Sequence, residues 1–545
     1  RFGFYCVISF FILLSIDANA SWQTFQGDLR NTGIGNGTGY FPLKTANFTD
    51  ESNGMDFQPL VDDLNADGTN EIVIFSHDFL KIFDYELNLI DEKYAGTLLG
   101  QPTIFNKNII FNSRITDKNY LSAYQFNNSN LKKGFNITLS NDADFSGIKC
   151  LNLNGTNSCI FKDKLNYIHI VNIDSKTNSS YNTSVYEEIR QTVPAIGDID
   201  NDGNMEAVFW FNQDNNSGYG FMVFDLVDRR LDTSFNNSGI VDNIFSPLIL
   251  GPSLYHQLFE LKGQPVLVDL NNDNKLEIAA SVFYHDNSHV SNDDWYTELF
   301  VYSHNGSKLF SKCELSDNDC SDSVSGPSGS NKWEGTNPFV LDYDKNGIED
   351  TCFIKDVKGL GGNRGGFLYM ALNCYNYSGG EIAEVNLSNA EDDIKGTAMA
   401  ADMNNDGEKE VIITHRIYLL NGTILFEMPS LSTITHPIAV DIDGNNRLDL
   451  VWTKNGMTKL FVDDTGAVKS SDVLIKPENP SVEDSLSCQW KANGNNKIIY
   501  ANASWYKNNE FYSSEEIQCI NSTLCTTINN VPSSALTEND LWKCS

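Results

Sequence analysis

Basic residues are scarce in this chain: 38 Lys and Arg face 72 Asp and Glu, a formal charge of −34. That balance excludes a nucleic-acid groove as the main surface and disfavours contact with anionic membranes, leaving cations as the natural counterparts. No apolar run beyond the first twenty residues is long enough to cross a bilayer. There is no Cys-x-x-Cys pair to suggest zinc, and no Gly-x-Ser-x-Gly nucleophile elbow. The Gly-rich stretch GLGGNRGGF at 359–367 lacks the Lys-Ser/Thr that a phosphate loop requires, and so reads as a turn between strands carrying Cys352 and Cys374. The eight His are dispersed, and the HDNSH stretch with His285 and His289 has no helical context that would aim both rings at one metal.

What is present is the composition of a folded protein, 41% hydrophobic and 12% aromatic over 545 residues, a length that implies two or three domains or one large repeat architecture. Residues 1–20 carry a basic start, a short apolar run and a small-x-small end at Ala18-Asn19-Ala20, which predicts a secretory signal cleaved before Ser21. A first residue of Arg suggests an incomplete start, and membrane attachment would need an anchor beyond Ser545. Setting Cys6 aside leaves an even set of near neighbours: Cys150/Cys159, Cys313/Cys320, Cys352/Cys374, Cys519/Cys525 and the long pair Cys488/Cys544. In an exported chain these predict disulfides, and sequons at Asn136, Asn182 and Asn421 suit an extracellular surface.

Six stretches repeat one pattern: DLNADGTNE from Asp63, DIDNDGNME from Asp198, DLNNDNKLE from Asp269, DYDKNGIED from Asp342, DMNNDGEKE from Asp402 and DIDGNNRLD from Asp441. With the first Asp as position 1, side-chain oxygens fall at positions 1, 3, 5 and 9, and Gly or Asn stands at 6 for a left-handed bend. Oxygens on alternate residues of a tight loop can turn inward around a hard cation, with the carbonyl of position 7 added and the acid at 9 closing the shell. Such coordination suits calcium better than magnesium's strict octahedron. The predicted ligands are Asp63, Asn65, Asp67, Thr69 and Glu71; Asp198, Asp200, Asp202, Asn204 and Glu206; Asp269, Asn271, Asp273, Lys275 and Glu277. Asp342, Asp344, Asn346, Ile348 and Asp350, then Asp402, Asn404, Asp406, Glu408 and Glu410, then Asp441, Asp443, Asn445, Arg447 and Asp449 complete about six calcium sites of structural type.

An EF-hand begins similarly but closes at position 12 and leads into a helix. Here β-branched and aromatic runs such as EIVIF and EVIIT follow, so each loop joins strand to strand. A Pro-led strand precedes most of them, at Pro59, Pro194, Pro265, Pro338 and Pro437. The same ruler finds two units without a metal pattern, QPTIFNKNIIF from Gln101 and SGIKCLNLNGTNSCIF, in which Cys150, Asn152, Asn154, Gly155 and Ser158 occupy positions 1, 3, 5, 6 and 9. In the latter a Cys150–Cys159 disulfide would bracket the hairpin that calcium brackets elsewhere. It is worth about 2.7 kcal/mol by chain entropy, against about 1.4 kcal/mol for a calcium site of ~0.1 mM affinity in ~1 mM calcium. Downstream hairpins complete about four strands per unit, and four-stranded units in radial array make a β-propeller.

The loops closely resemble the FG-GAP (VCBS-type) repeats in the propeller head of integrin α subunits and of many microbial secreted proteins. The resemblance spans residues 21–472 and implies an all-β fold with structural calcium at the loop positions named above. Integrin heads have seven blades; the units counted here are eight, or seven if two short ones share a blade. The segment SWQTFQGDLRNTG would add a strand to the last blade and close the ring. Residues 473–545, with Cys488, Trp505, Asp540, Trp542 and Cys544 in order, resemble an immunoglobulin-like β-sandwich in which Trp542 replaces the usual corner Tyr and the final strand is missing.

The resulting reading is a secreted or cell-surface, calcium-stabilised protein that binds an extracellular protein or glycan, with binding favoured over catalysis and the question of enzymatic activity left open. Polar insertions at 285–298 and 313–337 carry Trp295, Tyr296 and Trp333 as candidate contact residues. The alternatives are a carbohydrate-active enzyme, because similar propellers occur in polysaccharide lyases, and a structural cell-surface component.

Overall fold

The structure is a computed structural model. It describes residues 26–544 except 40–42, 51–56, 77, 128, 140–145, 164, 166, 184–192, 213–218, 246–263, 290–291, 314–335, 359–366, 388–396, 414–415, 428–436, 446, 455–456, 464–468, 478–480, 482–483, 494–497, 509, 521–523, 528–529 and 538–541. The predicted signal at 1–20 and Trp333 lie outside the described residues. No α-helix occurs among those described; a single 3-10 turn at Ser533–Ala535 interrupts an otherwise all-β chain.

Eight sheets of four or five strands follow one another, each built around an antiparallel meander, and the seventh also takes Ile34–Thr38 parallel to Met399–Asp402. In the first, a short strand Leu60–Asp62 runs into the acidic loop, Glu71–Ser76 leaves it, and Phe79–Phe83 and Leu89–Tyr94 complete the sheet. The first two strands are buried at every residue, whereas the fourth is mostly exposed or half-buried. That gradient is what a radial array requires, because the strands nearest the axis are covered on both faces by neighbouring sheets.

The hydrophobic cores lie between sheets and close a circle. Leu60 and Phe75 of the first sheet pack with Ile109 and Phe111 of the second; Ile110 of the second packs with Phe161 of the third. Another core joins the third, fourth and fifth sheets through Ile160, Trp210 and Ile278. Val301 then packs with Phe353, and Leu372 with Val411. The last core joins Ile412 and Trp452 to Ile72 and Ile74, which returns to the first sheet. The fold is therefore a β-propeller.

Ring closure differs in detail from the sequence expectation. The strand added to the eighth sheet is Leu43–Asp50, antiparallel to Met457–Asp463, and not the SWQTFQGDLRNTG segment. The described part of that segment instead runs past the innermost strands. The carbonyls of Leu29, Arg30, Thr32 and Gly33 accept the N–H groups of Ile196, Leu267, Val340 and Ala400 at 2.8–3.0 Å, one from each successive sheet. Buried amides preceding the strand prolines add a second set of links. Gln58 accepts from the Gln26 N–H and donates to the Pro437 carbonyl, while Gln101 accepts from the Gln58 N–H.

The two units without a metal pattern turn more tightly than the rest. Asn106 and Lys107 (φ 50° and 60°), and Asn154 and Gly155 (φ 49° and 79°), form two-residue turns with positive φ at both central positions, the type I′ geometry that suits a hairpin. In the third sheet the ladder consequently runs on through Asn152↔Asn157 to Leu153↔Thr156, and Cys150 and Cys159 face each other in a disulfide between paired strands. Cys352 and Cys374 are joined in the same way. Cys320 lies outside the described residues, and the Cys313 side chain is not described.

Residues 469–544 form two three-stranded sheets, one with Lys469–Lys476, Ser487–Asn493 and Leu524–Thr526, the other with Ile498–Lys507, Glu510–Ile520 and Trp542–Cys544. Trp505 is buried against Leu486, Cys488 and Val531. Cys488 and Cys525 are both disulfide-bonded and stand on one sheet, whereas Cys519 and Cys544 stand on the other.

Candidate metal centres

Six acidic loops occupy equivalent places, between the first and second strands of sheets one and four to eight, so they are consecutive around the ring. The local backbone explains their sequence. Position 6 has positive φ in Gly68, Gly203, Asn274, Gly347 and Gly407, and nothing would obstruct a Cβ at those four glycines, so it is the left-handed backbone that selects the residue. Position 4 is left-handed as well, in Ala66, Asn201, Asn272, Lys345, Asn405 and Gly444. The sequence gives little sign of this, because Asn tolerates the region and Ala and Lys carry no turn signal.

The paired bends aim backbone donors at the first Asp. The N–H groups of positions 5 and 6 reach the two carboxylate oxygens of Asp198 at 3.0 Å each, and the same two bonds recur at Asp63, Asp269 and Asp342. The closing acid is held with equal regularity. One oxygen of Glu71, Glu206, Glu277, Asp350, Glu410 and Asp449 accepts the N–H of position 2, at 2.6–3.1 Å in all six loops.

Electrostatically the loops are unfavourable on their own. Burial first, and then the carboxylates at positions 1 and 5, push Glu71 and Glu277 up to about 7. Burial and Asp200 and Asp202 push Glu206 to about 8; burial and the neighbouring acids push Asp350 and Glu410 to about 7. Buried carboxylate oxygens of Glu277, Asp200 and Asp402 have no hydrogen-bond partner. Buried acids of like charge with unused lone pairs fit a bound cation, which would satisfy both deficits.

Ligand oxygens of three acids lie within 4.8 Å of one another in Asp198/Asp200/Glu206, Asp342/Asp344/Asp350 and Asp441/Asp443/Asp449. These clusters can hold a metal ion. In the other three loops position 3 is Asn, and Asn65 turns its amide nitrogen to Asp67 and Glu71 at 3.0 and 2.7 Å. Position 7 contributes no charge requirement, as Thr69, Asn204, Lys275, Ile348, Glu408 and Arg447 show by their variety.

Of the proposed contact aromatics, Trp295 and Tyr296 fall in an extended hairpin and not a free loop. Strand Glu277–His289 pairs with Asn292–Tyr302, placing Trp295 opposite His285 and Tyr296 opposite Tyr284 in register. A cavity of about 1020 Å³, lined by residues including Arg30, Phe105, Leu151, Ile196, Asn274 and Glu349, was not legible in the sequence, because five sheets and the N-terminal segment each contribute part of its wall. Among the described residues no helix is long and apolar enough to cross a membrane.

No family model matches the chain, and no curated protein matches it. Among solved structures, BamB from Moraxella catarrhalis is similar with 11% identity and a TM-score of 0.42, covering 77% of this chain and 100% of that one. A europium-containing methanol dehydrogenase matches at 9% identity and TM-score 0.42, covering 79% and 89%. The V. cholerae biofilm matrix protein Bap1 matches at 12% identity and TM-score 0.34, covering 77% and 90%. The propeller assignment rests on the strand topology and the closed circle of cores.

Proposed function

We propose that the chain is a secreted or cell-surface recognition protein of the FG-GAP/VCBS type, in which about six calcium ions hold an eight-bladed propeller rigid and an immunoglobulin-like unit follows it. The observation that carries this reading is the closing acid: in all six loops one of its oxygens is committed to the backbone of position 2, and the other faces the loop, where in Glu71 and Glu410 it accepts the position 3 amide that a cation would displace. The side chains of positions 1, 3, 5 and 9, with the carbonyl of position 7, would hold the ion. Bound there, calcium supplies charge neutralisation and cross-linking, while the chain's own N–H groups at positions 2, 5 and 6 keep the carboxylates turned inward. Repetition of one carboxylate-filled arrangement favours scaffolding over catalysis, which needs an open coordination position. Intrasheet disulfides at Cys150–Cys159 and Cys352–Cys374 suit an oxidising, extracellular setting.

Recognition of an extracellular protein or glycan belongs to the cavity beside the loops and to the extended hairpin of the fifth sheet, both carried by the rigid ring. Elemental analysis of dialysed protein should find about six calcium ions per chain, and a glycan array in calcium should show binding without turnover. Absence of bound calcium would overturn the scaffold reading. Release of unsaturated oligosaccharides from a polysaccharide would replace the binding role with that of a lyase.

A further inference from the structure

The acidic loops form one unbroken arc through sheets four, five, six, seven, eight and one, and the residue at position 8 has no part in the ligand pattern. At three of the five junctions of the arc it nevertheless reaches back directly to the loop before it. Leu276 donates its N–H to the Ile199 carbonyl, position 2 of the preceding loop, at 2.9 Å. Glu349 accepts the N–H of Asp269, position 1 of the preceding loop, at 3.0 Å, and is itself held by Arg30. Between sheets six and seven the neighbouring position 7 makes the contact instead, Glu408 pairing with Lys345 of the loop before its own. Leu448 acts through an inserted strand: it donates to the Thr38 carbonyl at 2.8 Å, and Gly39 donates to the Asp402 carbonyl at 2.6 Å. Asn70 closes the series, its N–H on the Ile442 carbonyl at 2.9 Å and its side-chain amide on the Asp441 carbonyl.

Positions 1 and 2 are the anchors of the shell, the one through its carboxylate and the other through the N–H that the closing acid holds. An ion that draws positions 1 and 9 together fixes the groups that position 8 of the next loop must meet, and position 8 is the immediate neighbour of that loop's own closing acid. Filling one loop therefore lowers the ordering cost of filling the next. Repulsion between ions in neighbouring loops opposes this, but it is screened over a length of about 8 Å at physiological salt. We propose that the six loops take up calcium as a coupled series, with position 8 as the main coupling residue. The arc ends at the second sheet, where Lys107 of the metal-free turn donates to the Asp63 carbonyl and pairs with Asp62, a permanent cation in the place where position 8 would stand.

This rests on the calcium reading above, and hydrogen–deuterium exchange of the intact, chelator-stripped chain during titration with calcium chloride separates the two. In the wild type, peptides from all six loops should gain protection at one shared calcium concentration. In Glu349→Ala the midpoint should divide, loops four and five lagging the rest by about tenfold, while Glu349→Gln, which keeps the acceptor for the Asp269 N–H, should restore a shared midpoint. Asn70→Ala should divide the first loop from the eighth, which serves if Glu349→Ala fails to fold. Six separate midpoints in the wild type, or an undivided midpoint in both alanine variants with calcium still bound, would overturn the coupling and leave the calcium reading standing. No calcium-dependent protection anywhere would overturn both.

Discussion

At the residue scale, the closing acid of each loop answers to two opposing demands. Glu277 accepts the Leu270 N–H through one oxygen, and its other oxygen is buried without a partner. Glu277→Gln keeps the acceptor and removes a charge that faces Asp269 and Asp273. Its effect should therefore change sign with calcium: a higher melting temperature than wild type in chelator, and a lower one in excess calcium, with affinity at that loop reduced by about an order of magnitude. The Cys150–Cys159 bond behaves differently, because it joins paired strands of a sheet that has no acidic loop. Replacing both cysteines by Ala should cost about 2–4 kcal/mol in denaturant unfolding. That loss should be the same in calcium and in chelator, as expected of a covalent device that stands where a metal does not.

At the scale of the element, the acidic loop is a strand connection that favours protonation when no cation is present. Glu71, Glu206, Glu277, Asp350 and Glu410 all have folded values raised to about 7 or 8 by burial and by like charges. A raised acid binds protons more tightly in the folded than in the unfolded state, so it destabilises the fold as pH rises from the unfolded value near 4 through the folded value. In chelator the melting temperature should accordingly fall between about pH 5 and pH 8. In excess calcium that fall should disappear, because the ion replaces the proton; scanning calorimetry at several pH values distinguishes the two curves.

At the scale of the whole molecule, stability depends on closing the circle. The N-terminal segment threads the inner strands so closely that a Cβ on Gly39 would stand 2.6 Å from the Met403 carbonyl oxygen, and one on Gly35 would stand 2.8 Å from the Ala401 Cβ. Gly39→Ala should destabilise by about 1–3 kcal/mol, the usual cost of overpacking, and should loosen the junction between the seventh and eighth sheets. Removing residues 26–50 should have a larger effect, since it leaves Met457–Asp463 as an open edge and strips the inner strands of sheets four to seven of their shared acceptors. Aggregation, or loss of a single cooperative melt, is the expected outcome by light scattering and calorimetry.

Much of this was written locally. The alternation of Asp and Asn, the Gly at position 6, the Pro-led strands and the β-branched runs after each loop act over fewer than about a dozen residues, and such short-range chemistry determined the strand–loop–strand unit, its repetition and its capacity for a cation. Asn106 and the Asn154-Gly155 pair are residue types that favour the left-handed turns found there, whereas Lys107 is not. Left-handed backbone at Ala66 and Lys345 was hidden, because neither residue advertises the conformation that its neighbours impose. Which N-terminal stretch seals the ring, what the amides before the prolines bond to, and how position 8 of one loop finds the next were decided only by tertiary structure. Those contacts join residues tens to hundreds of positions apart, among the longest Asn70 with Asp441 and Gln58 with Pro437, and these acquire meaning only once the circle has brought the first sheet against the last.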